Sequence, residues 1–197
     1  MSDSALLEFD SHRVQRITAR TGVSFDEFVA AFEAAVPPRD LTEHGTLAAS
    51  DRAPAPTSDD IDEAAPNSFR VFTATGETDP ASPRTGGPRA ISWLFGNREI
   101  AGHVFGNDPR AILYAPLRIA AFENGDGQAS VTFERPSDAF RSLTQPEIAA
   151  VGDRLDHKLA DLLDALGVAA AADQLRTPAH RPTPQPNTTV SRALSAV

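Results

Sequence analysis

The sequence predicts an α+β fold in which an antiparallel sheet is covered by a long C-terminal helix. Three observations predict this two-layer sandwich. Segments with strand character are clustered in the second half of the chain, and two of them form a predicted hairpin. One amphipathic helix is predicted before this cluster and another after it. Strands that follow one another, without a helix after each, favour an antiparallel sheet with helices packed on one face.

The N-terminal part contributes one strand and one well-marked helix. Residues 12–19 have strand character, and the following helix begins at Ser24, which forms a capping box with Glu27. Apolar residues then recur at helical spacing until two prolines at 37 and 38 stop the helix. The apolar face consists of Phe25, Phe28, Val29, Phe32 and Val36.

The segment 37–89 differs from the rest of the chain in composition. It holds eight of the sixteen prolines and the acidic run DDIDE, and only 69–75 has strand character. A loop of this length is uncommon inside a compact domain unless it has a function of its own. We therefore expect an N-terminal segment at 1–11, a single domain at 12–167 with a proline-rich insertion at 37–89, and a helix extension with a disordered tail at 168–197.

The region 90–135 predicts a strand, a short helix and a hairpin. In AISWLFG, residues 90–96, large apolar residues alternate with the others, as in a strand with two different faces. Asn97 is a preferred cap for a short helix at 98–106. Two further strands, 113–123 and 128–135, are joined by NGDG, whose residues favour a tight turn.

A long helix completes the predicted domain. Thr144 and Glu147 have capping-box spacing, Pro146 falls in the first turn, and Gly167 follows the last apolar residue. Between them a continuous apolar stripe has helical spacing. Its members are Ile148, Val151, Leu155, Leu159, Leu162 and Leu166.

Composition excludes several classes of function. A net charge of −9 disfavours nucleic acid as a partner, because binding to its backbone relies on clustered lysines and arginines. There is no cysteine, the five histidines are scattered, and no motif identifies a cofactor, so no metal site is predicted. Without a signal peptide or a long apolar run, a cytoplasmic protein with no membrane partner is expected.

The run LFGNREIAGHVFGNDPRAILYAPLRIAAFENGDGQASVTFERPSDAF, followed by PEIAAVGDRLDHKLADLL, resembles the family of domains of unknown function called DUF302. The matching features are the strand-ending Gly96-Asn97, the break at Asp108-Pro109, the strand exit ERPS and the terminal amphipathic helix. The resemblance implies a compact α+β domain with a layout like that of the TATA-binding protein, often dimeric. It implies no established activity.

Two groups of residues are candidates for a site. Asn97 and Arg98 place backbone N–H groups and a positive charge at a helix start, which can hold an anion. The preferred interpretation is that Asn97 acts as a helix cap alone, which needs no ligand. A second group is polar and surrounds the Asp-Pro break and the hairpin exit. We expect its members to line one polar mouth, and they are Asp108, Arg110, Tyr114, Arg118, Glu134, Arg135 and Asp138. For this second group the preferred interpretation is a set of structural ion pairs and turn caps, and a site that orients an acidic ligand or does acid/base chemistry is the alternative.

The favoured hypothesis is a domain that binds a small, partly apolar or anionic molecule between the sheet and the long helix. Trp93, Phe95, Ile119 and Phe133 would form its floor, the insertion at 37–89 would gate it, and the ligand-binding residues would be Asn97, Arg98, Arg110, Arg118 and Trp93. A second hypothesis is an enzyme that uses Asp108, Tyr114 and Glu134 as acid/base groups and arginines to hold an anion. A third is a protein-interaction module, and a homodimer is expected in any case.

Overall fold

A computed structural model describes residues 9–38, 69–77 and 88–178. Its five strands form one antiparallel sheet in the order β1-β5-β4-β3-β2, with helices between and after them. The predicted α+β class with an antiparallel sheet is confirmed. The elements are β1 Arg16–Ser24, α1 Phe25–Ala35, β2 Arg70–Glu77, β3 Ala90–Gly96, α2 Arg98–Asn107, a 3-10 helix Pro109–Leu113, β4 Leu117–Glu123, β5 Gln128–Glu134, α3 Pro136–Arg141, α4 Pro146–Ala165 and α5 Ala169–Arg176.

One face of the sheet carries the hydrophobic core. Trp93 lies directly opposite Ile119, and both side chains are fully buried. Helix α1 covers this face with Phe32, whose ring stacks on Trp93 with 4.3 Å between centroids and meets Phe95 edge to face. Its start has the predicted capping box, in which Ser24 accepts a bond from the amide of Glu27. Local chemistry therefore sets where α1 begins, and the stacked rings set where it packs.

The long helix α4 packs closely on the short helices on either side of it, α3 and α5. Gly152 lies so near α3 that a Cβ at this position would stand 2.9 Å from the Cα of Ser137. The buried stripe of α4 belongs to the same core as the sheet. In the described part of the chain, α4 and the other helices are all too short or too polar to cross a bilayer.

Three sequence-based boundaries need correction. The N-terminal strand, expected at 12–19, spans Arg16–Ser24. Thr144 does not cap α4, because its φ of 57° lies in the left-handed region, whereas a capping residue has extended backbone. Gln145 occupies the cap position without a side-chain bond. The strand expected from 113 begins only at Leu117, because Asp108 and Pro109 start a 3-10 helix that occupies the preceding residues.

Parts of the predicted domain organisation lie outside the described residues. These are the segment 1–8, most of the insertion at 37–89, and the tail from 179. The insertion does contribute β2, which pairs with β3 at the edge of the sheet. The domain boundaries stay predictions.

Candidate functional site

The second face of the sheet is open, and a cavity of about 400 Å³ lies beside it. Side chains of paired residues on neighbouring strands share one face. The pairs Leu94 with Arg118, Ala120 with Thr132, and Arg16 with Glu134 all lie on the face opposite Trp93. All six of these residues line the cavity.

The deeper part of the cavity wall is apolar and lies where β4 begins and β5 ends. Leu117 and Phe133 contribute from the strands, Phe140 from α3 and Leu159 from α4. These four side chains are almost completely buried. The cavity thus has charged groups on the open face of the sheet and an apolar wall near the helices.

Arg118 is the arginine of this cavity that is available to a ligand. Its side chain is exposed and makes no hydrogen bond or ion pair with any residue that the structure describes. Arg16, by contrast, stands 3.8 Å from Glu134, with both side chains largely in solvent. Such an exposed pair contributes little to stability, but it offsets the charge of Glu134.

Arg135 lines the same cavity and is already fully engaged. Its Nε donates to Asp156 at 3.0 Å, and its Nη2 donates to the carbonyl oxygens of Gln174, Leu175 and Thr177 at 2.7 Å each. The guanidinium therefore pairs with α4 and holds the end of α5. Only 1% of Arg135 is exposed, which makes it a structural residue of the cavity wall.

Asp156 completes this buried cluster. It accepts hydrogen bonds from the amide and the hydroxyl of Ser137, at 2.9 and 2.6 Å, in addition to that from Arg135. Burial raises the pKa of the Asp156 carboxyl, while the bonds from Ser137 and the charge of Arg135 act in the opposite direction. The cluster ties β5, α3, α4 and α5 together next to the cavity.

Tyr114 and Glu134 line the cavity, but Asp108 does not. Asp108 is buried and caps the 3-10 helix by accepting from the amide of Arg110 at 2.9 Å, and its carboxylate also pairs with the Arg110 guanidinium. The side-chain and backbone hydrogen bonds of Arg110 lower the pKa of Asp108. The three proposed acid/base groups are therefore not assembled, and Asp108 acts as a cap with an ion pair.

Two further predicted ligand residues have other surroundings. Asn97 is buried, and its Oδ1 accepts from the amide of Ile100 at 3.3 Å, as a helix cap does. The side chain of Arg98 lies outside what the structure describes. Asn97 does not line the cavity beside the open face.

The expectation that Trp93 floors a ligand pocket has to be corrected. Trp93 is fully buried under Phe32, and its Nε1 donates to Glu33 at 3.4 Å. Phe95 and Ile119 are fully buried in the same core, so of the four predicted floor residues only Phe133 lines the cavity. Trp93 and Phe95 pack against the covering helix α1 and do not line the cavity.

Sequence reasoning missed the cavity residues Arg16, Leu94, Ala120 and Thr132. The alternation of β3 places Leu94 opposite to Trp93, so a second face was visible in the sequence. The other residues of that face could not be identified from the sequence, because their positions beside Leu94 follow from the strand order β1-β5-β4-β3. Within the described ranges, no three histidine or acidic side chains are close enough to share a metal ion.

The comparisons with known proteins concern the part of the chain that forms this site. Residues 87–166 match the family model described as domain of unknown function DUF302. A similar solved structure is that of an uncharacterized conserved DUF302 protein from Bacillus stearothermophilus, with 12% identity and a TM-score of 0.52 over 77% of this chain and 97% of that chain. No curated protein matches the chain. The predicted resemblance to DUF302 is confirmed, and the structural likeness shows the fold alone.

Proposed function

We propose that this chain is a small-molecule-binding domain, and that its ligand is partly apolar and occupies the cavity beside the open face of the sheet. The observation that carries the proposal is the division of the cavity wall. An apolar part formed by Phe133, Phe140 and Leu159 adjoins a small number of polar groups on the sheet. Concave sites that are mostly apolar with a few convergent polar groups are typical of ligand pockets.

The volume is also suitable for a small ligand. About 400 Å³ falls in the lower part of the range of roughly 300–1,000 Å³ that such pockets occupy. The charge of the described lining residues is unusual for this chain, because they include three arginines and a single glutamate in a protein of net charge −9. This balance favours a ligand that is neutral or negatively charged.

A cavity-filling variant tests the proposal. Ala120 is half-buried on the open face, so Ala120→Phe places a ring in the cavity without disturbing the covered core. Thermal unfolding of the full chain is measured with a panel of small apolar and anionic compounds. A compound at a concentration of about 100 times its Kd raises the free energy of unfolding by about 2.7 kcal/mol if the protein binds it only when folded.

The matched control is Thr75→Phe, which lies on the same face of the sheet at the edge strand and outside the cavity. We expect compounds that stabilise the wild type and Thr75→Phe but not Ala120→Phe. The proposal is wrong if no compound stabilises the wild type, or if Ala120→Phe responds as the wild type does.

The alternative of an acid/base enzyme has less support, because Asp108 is held in its own cap and ion pair away from Tyr114 and Glu134. The homodimer expected from the sequence stays a prediction. Sedimentation equilibrium of the full chain measures it directly, and a monomer at micromolar concentration would contradict it.

A further inference from the structure

We infer that the ligand is a carboxylate with a short apolar chain, and that Arg118 binds the carboxylate. The inference rests on the proposed function and adds the chemical class of the ligand. Arg118 lines the cavity, is exposed, and has no ion-pair partner among the described residues. A planar guanidinium with free N–H groups matches a carboxylate with two parallel hydrogen bonds.

The charge balance of the cavity favours an anion with a single charge. Arg135 is neutralised by Asp156, and Arg16 is offset by Glu134, which leaves the charge of Arg118 among the described lining residues. A monoanion would neutralise that charge. A doubly charged phosphate monoester would leave an excess negative charge in a cavity that also contains Glu134, within a protein that is already acidic.

The residues next to Arg118 indicate where the apolar chain lies. Leu94 is directly opposite Arg118 on the neighbouring strand, and Ala120 is two residues farther along the same strand and the same face. Directly paired residues have Cβ atoms about 4.5–5.5 Å apart, so a carboxylate at Arg118 brings the first carbons of its chain against Leu94. Phe140 and Leu159 then offer an apolar surface to the rest of the chain.

The size of the cavity limits the length of this chain. The cavity volume of about 400 Å³ is roughly a dozen times the volume of about 30 Å³ that one water molecule occupies in the liquid. A short-chain carboxylate fits, whereas a long fatty acid would extend beyond the apolar wall. Tyr114 adds a hydroxyl at the cavity, which bonds to Ser142 at 3.2 Å in this structure.

Three probes of equal length separate charge from apolar contact. Hexanoate, hexanol and hexylamine differ in their head groups and share an unbranched apolar chain. Each is titrated into the full chain of the wild type, Arg118→Gln and Arg20→Gln, and the amide chemical shifts are followed by NMR. Arg20 is the matched control because it lies on the same face of the sheet, pairs with Asp126 at 2.8 Å and does not line the cavity.

We expect hexanoate to bind the wild type about tenfold more tightly than hexanol, because its carboxylate forms a charge-assisted pair of hydrogen bonds with Arg118. Arg118→Gln should lose this preference while it keeps the affinity for hexanol, and Arg20→Gln should keep both. The shifts should concentrate on β3 and β4 around Leu94 and Ala120.

The outcomes distinguish the inference from the proposed function. If hexanol binds at the cavity as tightly as hexanoate, or if Arg118→Gln keeps the preference, the inference is wrong and the proposed function stands. If hexanoate perturbs a different part of the protein, Arg118 is not its binding residue. If none of the probes or the wider panel binds, both proposals are overturned.

Discussion

Two arginines line the same cavity, but their surroundings differ. Arg135 is almost fully buried and donates to five acceptors, among them Asp156 and three carbonyl oxygens at the end of α5. Arg118 is exposed on the open face of the sheet and has no hydrogen-bonding partner in the described part of the chain. One guanidinium is used by the fold, and the other is available to a ligand.

The difference shows that residue type and cavity position do not identify a functional arginine. A buried charge must be paired and hydrogen-bonded, or its desolvation is unfavourable by several kcal/mol. An exposed charge stays solvated without a partner and can exchange that water for an anion. Replacement of Arg135 should therefore lower the stability of the protein, and replacement of Arg118 should weaken ligand binding.

The largest effect is expected for Arg135→Met. It leaves Asp156 buried without its counter-ion and removes the donor to the carbonyl oxygens of α5, which should lower the free energy of unfolding by about 3–5 kcal/mol. Urea unfolding followed by the fluorescence of Trp93, the single tryptophan, measures this loss. Arg20→Met, which breaks an exposed ion pair, should change stability by less than about 1 kcal/mol. Equal losses in the two variants would contradict the structural role of Arg135.

A glycine next to the Arg135 cluster provides the second test. Replacement of a helical glycine by alanine usually stabilises a protein, but a Cβ at Gly152 would lie 2.8 Å from that of Phe140 and 2.9 Å from the Cα of Ser137. The helices α3 and α4 would have to separate, so Gly152→Ala should destabilise by about 1–3 kcal/mol. Gly102→Ala, in α2, adds a Cβ that meets no atom within 4 Å among the described residues outside the helix's own backbone, and it should stabilise by about 0.5–1 kcal/mol. Urea unfolding of the two variants compares them, and stabilisation by both would show that α3 and α4 are not closely packed.

Arg110 is intermediate between the two arginines, because it is half exposed and paired with Asp108. Hydrogen bonds from Arg110 lower the pKa of Asp108, so the folded state favours the ionised carboxylate. The resulting stability is present above the ordinary aspartate pKa of about 3.9 and is lost as the pH falls through the lower value in the folded state. The wild type should therefore exceed Asp108→Asn in thermal stability near neutral pH, and this difference should shrink below about pH 4. A difference that stays constant throughout acid titration would contradict the lowered pKa.

The smallest effect on stability is expected for Arg118→Gln. The side chain is exposed and makes no described polar contact, so the free energy of unfolding should change by no more than about 0.5 kcal/mol. The same urea titration measures it. A loss close to that of Arg135→Met would mean that Arg118 supports the fold, and it would remove the contrast between the two arginines.

Much of the local structure could be predicted because it depends on neighbours in the sequence. The capping box of Ser24 and Glu27, the alternation in 90–96, and the turn between β4 and β5 each need only a few consecutive residues. Thr144 shows the limit of this reasoning. Its spacing to Glu147 satisfies the capping pattern, but the chain leaves α3 with Thr144 at a positive φ, which excludes the capping geometry.

The site was predictable only in part. Of the residues expected to share a polar mouth, four line one cavity, namely Tyr114, Arg118, Glu134 and Arg135. The other three, Asp108, Arg110 and Asp138, do not line it. Trp93 was assigned to a pocket because large aromatic residues often line one, yet the same property favours burial under a helix. The alternation in β3 shows which face is apolar, but only the assembled fold shows that α1 covers it and that a cavity lies beside the other face.

By itself, the sequence determined the α+β class, the order of the main strands and helices, the resemblance to DUF302 and the absence of cysteine chemistry, because these depend on composition, periodicity and local motifs. Only the tertiary structure decided that Arg135 is bound by the fold and that Arg118 is available. The reason is physical: the partners of Arg135 lie 21 to 42 residues along the chain in one direction and 120 in the other, and they meet it only when the sheet and the C-terminal helices have packed.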